Sequence, residues 1–486
     1  MKQKIKIAWV CRDGYLDLFP LIEKELGSAI DLDSHIITHL EKDKIYLEEN
    51  YNFQNVEVLS NSINNILKEE FSPNQLEELS KKYNKVPMNR LLWSTVFEED
   101  LKEREIFDLA IAHILFWERF IERTSVNYLV YERPSVLSSC IAWLVSQHKG
   151  VRSIDYVDTA LDTMTIVDNF NGDYAERLIN RYQEIRKNDS DNKDDDYFKA
   201  EQYLSNINTA PKKTNESILA GEMTNRRASL GFQRIINLIN LYKNQPKEKE
   251  YYIYDSSLYE KILGNLLYIF RAFFHKIVNI FYKAPSQQAD KYFLYPLFMK
   301  GEFSNHIFMN PGYQDPIAEV KRIATCLPPQ HFLYVKEHYS GYPDRKIIDL
   351  LKIRNIKNVK LISPKEDPFS LVNASKGVIT SGSTMGFEAM MKSKPVFLTG
   401  DPWYRYLPGI KRVSRVEDVS QALSSVDNFI LPSTSEKLSV LKALYSISSK
   451  GLKMPREGAL ETENVENMAN IISKYIKNTH ELDEAK

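Results

Sequence analysis

Short apolar runs alternate with stretches of helical periodicity along most of the chain. In the C-terminal half, the apolar runs 331–335, 359–362 and 378–380 each predict a buried strand. Polar loops follow these three runs, and two of the loops lead into helical patterns at 369–375 and 385–391. Strands that alternate with helices in this order predict a parallel, doubly wound α/β sheet.

The N-terminal half shows the same alternation. Strands are predicted at 5–10, 56–59, 109–112, 127–131 and 151–156. The pattern at 18–26 predicts a helix that Gly27 closes, and the apolar pattern at 136–148 predicts another helix. These elements indicate a first Rossmann-like domain over residues 1–172.

The middle of the chain, residues 173–288, is poor in strand patterns and predicts a helical insertion. Its segment 262–283 is apolar and aromatic, but Arg271, His275 and Lys276 lie in its middle and make a transmembrane span costly. We expect a helix that lies on the inner membrane surface, where its basic residues meet anionic lipid. A helix packed on the protein, or in a dimer interface, is the alternative.

Composition narrows the function classes. The 486 residues include 64 basic and 65 acidic ones, so no overall positive charge favours nucleic acid. Three distant cysteines form no metal-binding or disulfide pattern, and no signal peptide precedes the first strand, so we expect a cytoplasmic protein. The Asp-rich run 189–196 lacks the pattern of a calcium loop and predicts a solvated, flexible linker. No metal is therefore predicted.

The turn between the strand 378–380 and the helix after it is the strongest candidate site. It comprises Ser381, Gly382, Ser383 and Thr384. The first N–H groups of a helix have no partner within it, and the helix dipole adds partial positive charge, so this turn can bind phosphate. Glu388 lies one helical turn further on the same face, where its carboxylate can accept from ribose hydroxyls. Residues that only cap the helix are the simpler alternative.

Other polar residues follow neighbouring strands of the predicted sheet. Lys336, Glu337 and His338 come directly after the strand 331–335, and Pro364 lies in the loop after the next strand. Because the carboxyl ends of parallel strands meet at one edge, we expect these loops and the turn to share it, and open α/β sheets bind ligands there. An ordinary surface role for His338 is the alternative.

Several segments, in this order, resemble the bacterial capsule polysaccharide biosynthesis proteins. They read YFLYPLF at 292–298, LYVKEH at 333–338, SP and DP within 363–368, SGSTMGFEA at 381–389 and KPVFLTGDPWY at 394–404. The family includes transferases of 3-deoxy-manno-octulosonic acid (Kdo) and has a GT-B architecture. The resemblance therefore implies two Rossmann-like domains that face a cleft, with the helical insertion between them.

The resemblance also implies a domain organisation and roles for particular residues. A nucleotide-sugar-binding domain is expected at 289–430, and C-terminal helices at 431–486 are expected to cross back to the first domain. Independently of the resemblance, the polar composition of residues 478–486 predicts a frayed tail. In the family, a histidine and a Ser-Thr turn hold the donor phosphate, which implies this role for His338, Ser383 and Thr384. Tyr339 and Phe298 depart from the family pattern. Because of Phe298, a protein that keeps the fold but has no catalytic activity stays an alternative.

Glycosyl transfer needs a carboxylate or histidine at the acceptor and cationic or N–H donors at the leaving phosphate. Candidate carboxylates at predicted strand ends are Asp13, Glu132, Asp155 and Asp158, and candidate donors are Arg12, Arg133 and Lys336. Asp13 and Glu132 are the first choices for catalysis. A turn-forming Asp and a helix-start Glu are the respective alternatives.

The sequence thus predicts a glycosyltransferase of capsule or surface polysaccharide synthesis. The first candidate for the transferred sugar is Kdo, with CMP-Kdo as its donor. Its expected partners are a nucleotide sugar, a glycan or lipid-linked acceptor, and the inner membrane surface. A CDP-glycerol-type phosphotransferase is one alternative, because its phosphate site would look alike. A non-catalytic partner in capsule assembly or export is the other.

Overall fold

The chain folds as two α/β units, seen in a computed structural model. It describes residues 4–92, 103–132, 137–161, 163–168, 172–188, 193–207, 282–283, 291–298, 315–338, 345–453 and 457–484. Unit 1 contains the described residues of Met1–Tyr174 and Ile447–Lys486, and unit 2 contains those of Ala175–Glu248 and Ser256–Ser446.

The strands, in chain order, are β1 (Ile5–Cys11), β2 (Leu32–Thr38), β3 (Glu57–Val58), β4 (Tyr128–Val130), β5 (Arg152–Asp158), β6 (Met164–Val167), β7 (Lys291–Pro296), β8 (His331–Lys336), β9 (Val359–Ile362), β10 (Val378–Thr380), β11 (Val396–Leu398) and β12 (Ile410–Arg412).

The helices, in chain order, are α1 (Tyr15–Ala29), α2 (Glu41–Tyr51), α3 (Leu59–Ile66), α4 (Gln75–Lys82), α5 (Met88–Leu92), α6 (Glu103–Thr124), α7 (Leu137–His148), α8 (Gly172–Asn188), α9 (Asp195–Asn206), α10 (Pro316–Thr325), α11 (Ile347–Arg354), α12 (Pro368–Ala374), α13 (Thr384–Met391), α14 (Val416–Ser424), α15 (Thr434–Ser446) and α16 (Thr462–Glu484).

Both units have the same strand order in their sheets. The strand order is β3-β2-β1-β4-β5-β6 in unit 1 and β12-β11-β10-β7-β8-β9 in unit 2. Every neighbouring pair is parallel except β5 and β6, which are antiparallel. In each sheet, the first three strands lie on one side in sequence, and the fourth strand pairs with the free side of the first. This is the doubly wound Rossmann order. The predicted α/β class with two Rossmann-like domains is confirmed, and such a pair is the make-up of a GT-B chain.

The core of unit 1 includes the C-terminal helix. Apolar residues of α16, among them Met468 and Ile472, belong to the same buried cluster as α1 and the central strands. Tyr128 on β4 shares a hydrogen bond of 2.7 Å with Thr479 on α16, and the phenol of Tyr156 donates to the carbonyl of Met468. The chain end is thereby fixed to the first sheet, although the sequence predicts a frayed end from residue 478. That prediction is wrong, because α16 continues to Glu484.

The core of unit 2 packs the helices α10, α11 and α14 against one face of its sheet. Side-chain caps begin several of its helices: Asp315 accepts from the amide of Ile317, and Asp367 accepts from that of Ser370. A proline follows each of these Asp residues at the first helical position, where its fixed φ favours the helix. These local signals explain why the predicted elements of this half match the observed ones closely.

Three other predictions in the sequence are wrong. Residues 109–112 lie inside α6, because this short apolar run is one part of a long helix that buries several faces. Gly27 lies within α1 and does not end it. In the Asp-rich run, Asp194 caps α9 and pairs with Lys442 on α15 at 3.0 Å, so the prediction of a flexible linker is wrong for residues 193–196, while residues 189–192 lie outside the described residues.

Two predictions about the middle of the chain stay predictions. Residues 262–281 of the expected membrane-surface helix lie outside the described residues. The boundaries of the helical insertion fall partly there as well, while its described part contains α8 and α9. Within the described residues, no helix is both long and apolar enough to span a bilayer.

Candidate functional site

The candidate phosphate turn lies at the switch point of the second sheet. From β7 the chain winds outward through β8 and β9, and from β10 it winds the other way through β11 and β12. The crevice between β7 and β10 is where doubly wound sheets bind ligands, outside the carboxyl ends of the strands. The turn after β10 opens into this crevice, and residue 336 ends β8 on the other side of β7, with residues 337 and 338 directly after it.

Side chains at both ends of the turn hold its backbone. The hydroxyl of Thr380, the last residue of β10, accepts from the amides of Gly382 and Ser383 at 3.2 and 3.0 Å. The hydroxyl of Ser383 accepts from the amide of Met385 at 3.3 Å and caps α13. Ser383 therefore has the simple capping role, and its own O–H hydrogen can still be donated to a ligand. Thr384 is exposed at the first position of α13.

Glu388 lies one turn into α13 and is partly buried. Burial raises the pKa of its carboxyl to about 7, while the nearby ammonium of Lys392 acts in the opposite direction. The carboxyl therefore titrates close to neutral pH. It can accept a hydrogen bond from a hydroxyl group most strongly when it is ionised.

Lys336 ties two neighbouring strand ends together. Its buried ammonium donates to the carbonyl of Pro364 at 3.1 Å and lies 3.5 Å from that of Glu337. Burial lowers the pKa of Lys336 to about 8, against the acidic groups of Glu337, Asp367 and Glu366. In this position Lys336 and Pro364 fix the loop after β9 to the end of β8.

Glu337 is buried in an ion pair with Arg345. Arg345 donates from Nε to Oε2 of Glu337 at 2.7 Å and from Nη2 to the carbonyl of Phe298 at 2.7 Å. Because Phe298 follows β7 and Glu337 follows β8, this arginine joins the ends of two adjacent strands. Glu337 also accepts from the amide of His338 at 2.8 Å, which fixes the backbone that carries the imidazole.

His338 is the residue of this segment best suited to contact a ligand. It lies past the end of β8, and its side chain is partly exposed. Burial lowers the pKa of His338 to about 4, and the charges of Lys336 and Arg345 act in the same direction. The imidazole is therefore neutral at pH 7 and can donate one N–H to an anion. Parallel strands lie about 4.8 Å apart, so the ends of β8 and β10 are roughly 10 Å apart, a span that one nucleotide bridges.

In unit 1, the predicted catalytic residues follow the two strands at the corresponding switch point. Arg12 comes after β1 and Glu132 after β4, and both N–H groups of Arg12 donate to Oε2 of Glu132, at 2.8 Å from Nε and 2.5 Å from Nη2. Arg12 is only 6% exposed. Together with His39 and Tyr131, this pair lines a small pocket at the edge of the sheet.

Asp13 and the other candidate carboxylates differ in their surroundings. Asp13 is exposed, has a left-handed backbone with φ of 46°, and takes part in the turn that begins α1. Asp155 is buried, and Asp158 forms an ion pair of 2.9 Å with Lys453. Arg133 lies outside the described residues. Glu132 and Asp158 both combine partial exposure with a charged partner. Of these two, Glu132 follows β4, a strand at the switch point of the first sheet, whereas Asp158 ends β5.

Two residues of the second edge were not singled out from the sequence. Arg345 follows a polar stretch of sequence, and no local pattern indicates that it would be buried between two strand ends. Tyr404 lies within the segment 394–404, yet nothing in its spacing predicts that its phenol donates to the carbonyl of Ser383. Both contacts depend on the tertiary fold.

Comparison with known proteins places part of the chain in a family. Residues 190–428 match the model of the family described as capsule polysaccharide biosynthesis protein, and no curated protein matches the chain. Among solved structures, the chain is similar to "KpsC, beta Kdo 2,7 transferase" of Thermosulfurimonas dismutans, with 14% identity over 70% of this chain and 83% of that chain, at a TM-score of 0.32. It is also similar to UDP-GlcNAc 2-epimerase from Neisseria meningitidis, with 12% identity over 99% of this chain and all (100%) of that chain, at a TM-score of 0.23.

Proposed function

Residues 190–428 belong to the capsule polysaccharide biosynthesis protein family, and from this premise we propose that the chain is a glycosyltransferase of bacterial capsule or surface polysaccharide synthesis. It transfers a sugar from a nucleotide donor to a glycan or glycolipid acceptor. Kdo from CMP-Kdo is the first donor to test. The observation that carries the proposal is that the turn after β10 and the neutral His338, which follows β8, lie at the same carboxyl edge of the second sheet, on either side of β7.

The donor phosphate binds to this edge of unit 2. The helix dipole of α13 and the hydroxyls of Ser383 and Thr384 stabilise the negative charge that grows on the phosphate as its bond to the sugar breaks. His338 donates an N–H to the same phosphate or to its neighbour. Glu388 accepts from the ribose hydroxyls. Two of these residues have a fixed backbone: the hydroxyl of Thr380 accepts from the amide of Ser383, and the carboxylate of Glu337 accepts from the amide of His338.

Lys336, Glu337 and Pro364 hold the loops of the site in place through contacts within the protein. Their polar atoms are occupied by one another and by Arg345, so they fix the loops that carry His338. We therefore assign them positioning roles in donor binding. Catalytic groups are effective when their neighbours restrict them to one geometry.

At the acceptor, the proposal assigns proton removal to Glu132, which Arg12 orients. Its carboxylate takes the proton of the acceptor hydroxyl while the oxygen of that hydroxyl bonds to the sugar. Asp13 is the second choice, because it is exposed at the same edge of the first sheet. The reaction is placed in the cytoplasm, and residues 262–283 are proposed to contact the inner membrane surface, where a lipid-linked acceptor would lie.

The test is product formation from a panel of donors. Purified protein is incubated with CMP-Kdo, UDP-GlcNAc or CDP-glycerol and a capsule-type glycolipid, and the product is analysed by mass spectrometry. A product that gains a sugar without phosphorus supports the proposal. A product that gains glycerol phosphate would replace it with the phosphotransferase, and no product from any donor would favour a non-catalytic partner.

A matched pair of variants tests the assignment of Glu132. Glu132→Gln is expected to lower kcat at least a hundredfold, in line with the usual contribution of a general base. Glu69 is the control, because its carboxylate also pairs with an arginine, Arg119, on the exposed surface of the same unit. Glu69→Gln is expected to leave kcat unchanged. Equal activity of both variants would remove Glu132 from the mechanism.

A further inference from the structure

The buried phenol of Tyr404 contacts the backbone of the turn after β10. Its hydroxyl donates to the carbonyl oxygen of Ser383 at 2.5 Å, and the side chain is 0% exposed. We infer that Tyr404 is a positioning residue for phosphate binding, because it fixes the peptide plane that presents the amide of Thr384. The inference rests on the proposed donor site and adds a residue to it.

Peptide geometry connects this contact to the ligand side of the turn. The carbonyl of Ser383 and the N–H of Thr384 belong to one planar, trans peptide, so they point in opposite directions. Tyr404 holds the carbonyl toward the protein interior, and the amide of Gly386 donates to the same oxygen at 2.9 Å. The N–H of Thr384 is therefore directed away from the interior, at the exposed start of α13.

The neighbouring amides of the turn already have acceptors. Those of Gly382 and Ser383 donate to the hydroxyl of Thr380, and that of Met385 donates to the hydroxyl of Ser383. Among the residues that the structure describes, the amide of Thr384 has no such acceptor. Of the four consecutive amides from Gly382 to Met385, that of Thr384 is thus the one directed to a ligand, and its direction is set by Tyr404.

The position of Tyr404 is tightly defined by Gly386. A Cβ atom added at Gly386 would lie 2.5 Å from the phenol oxygen of Tyr404 and 3.0 Å from Cγ2 of Thr380. Only glycine leaves room for the phenol to reach the turn. Phe387 and Trp403 pack around the same ring, with centroid separations of 6.3 and 5.2 Å. The aromatic contacts hold the ring in the orientation that the hydrogen bond requires.

The test separates phosphate binding from general stability. Calorimetry measures the affinity of the wild type and of Tyr404→Phe for CMP, UDP and GDP and for the corresponding nucleosides. Tyr404→Phe is expected to bind the preferred nucleotide about tenfold more weakly, the effect of one hydrogen bond. Its affinity for the nucleoside is expected to stay unchanged, because that ligand has no phosphate.

Tyr292 provides a matched control. It is also buried in unit 2, and its phenol donates to the carbonyl of Leu371 at 2.7 Å, but it lies near the amino end of β7, at the opposite edge from the turn. Tyr292→Phe is expected to lose similar stability and to keep full affinity for the nucleotide. Comparable melting temperatures of the two variants make their binding directly comparable.

The outcomes distinguish the inference from the proposed function. If the wild type binds a nucleotide and Tyr404→Phe binds it equally well, the inference is wrong while the donor site stands. Equal weakening for nucleotide and nucleoside, or the same loss in Tyr292→Phe, would also overturn it, since either would show a general structural effect. A wild type that binds no nucleotide would overturn the proposed function itself, and this inference with it.

Discussion

Replacing Gly386 by alanine tests how closely the turn is packed against Tyr404. An alanine in the interior of a helix usually stabilises it by about 1 kcal/mol relative to glycine. At Gly386 the new methyl group would lie 2.5 Å from the phenol oxygen and 3.1 Å from Cζ of the same ring. Real contacts of this kind need more than 3 Å, so either the ring or α13 must move.

The expected loss of unfolding free energy depends on the groups that the new methyl group displaces. Overpacking of a core by one methyl group costs about 1–3 kcal/mol, and displacement of the phenol also removes a buried hydrogen bond of about 1 kcal/mol. These costs exceed the gain in helix propensity, so Gly386→Ala is expected to destabilise unit 2 by roughly 1–3 kcal/mol. The double variant Gly386→Ala/Tyr404→Phe should recover part of this loss, because it removes the oxygen that is closest to the new methyl group.

The assay is urea unfolding followed by hydrogen-exchange mass spectrometry, which reads the transition of each unit from its own peptides. Gly27 is the control: it lies inside α1, is exposed, and the nearest atom to an added Cβ is Cδ1 of Leu32 at 3.9 Å. Gly27→Ala should therefore stabilise unit 1 by about 0.5–1 kcal/mol. If Gly386→Ala were as stabilising as Gly27→Ala, the close contact between Gly386 and Tyr404 would be wrong.

Three further outcomes follow from buried ionisable groups. Arg345→Met leaves Glu337 buried without its ion-pair partner and is expected to cost about 3–5 kcal/mol of unfolding free energy in urea titrations; a loss below 1 kcal/mol would contradict the buried pair. Burial raises the pKa of Glu319 from 4.5 to about 7, so the contribution of this group to stability is fully present below pH 4.5 and is lost as the pH rises to 7, by about 3 kcal/mol in total. Glu319→Gln should remove this fall and exceed the wild type in melting temperature at pH 8, and an unchanged pH dependence would contradict it. Nucleotide affinity of the wild type relative to Glu388→Gln should rise about tenfold from pH 6 to pH 8 as Glu388 ionises, and a constant ratio in calorimetry would rule out its contact with ribose.

The fold of the second unit could be predicted from the sequence because its signals are local. The turn after β10, for example, combines a short β-branched strand with a capping serine, and both features depend only on neighbouring residues. The run 109–112 shows the limit of this reasoning. Four apolar residues fit a buried strand and a buried helix equally well, and only the rest of α6 decides between them.

The candidate site could be predicted in outline only. The sequence places Lys336 and Glu337 at a strand end. It cannot show that the ammonium of Lys336 donates to the carbonyl of Pro364, or that the carboxylate of Glu337 pairs with Arg345, instead of contacting a ligand. Tyr404 reaches the turn from twenty-one residues further along the chain, a contact that no periodicity encodes. Sequence patterns miss the residues that hold a site in place without contacting its ligand, because their contacts depend on how separate elements pack together.

The most direct test of the proposed donor site is calorimetric titration of CMP, CDP, UDP and GDP into the purified protein and into the Ser383→Ala/His338→Ala variant. The account predicts that one nucleotide binds the wild type, with CMP the first expectation, and that the variant loses this binding. A preference for UDP or GDP would keep the transferase and replace the Kdo donor. Binding that the variant retains in full would contradict a phosphate site at this turn.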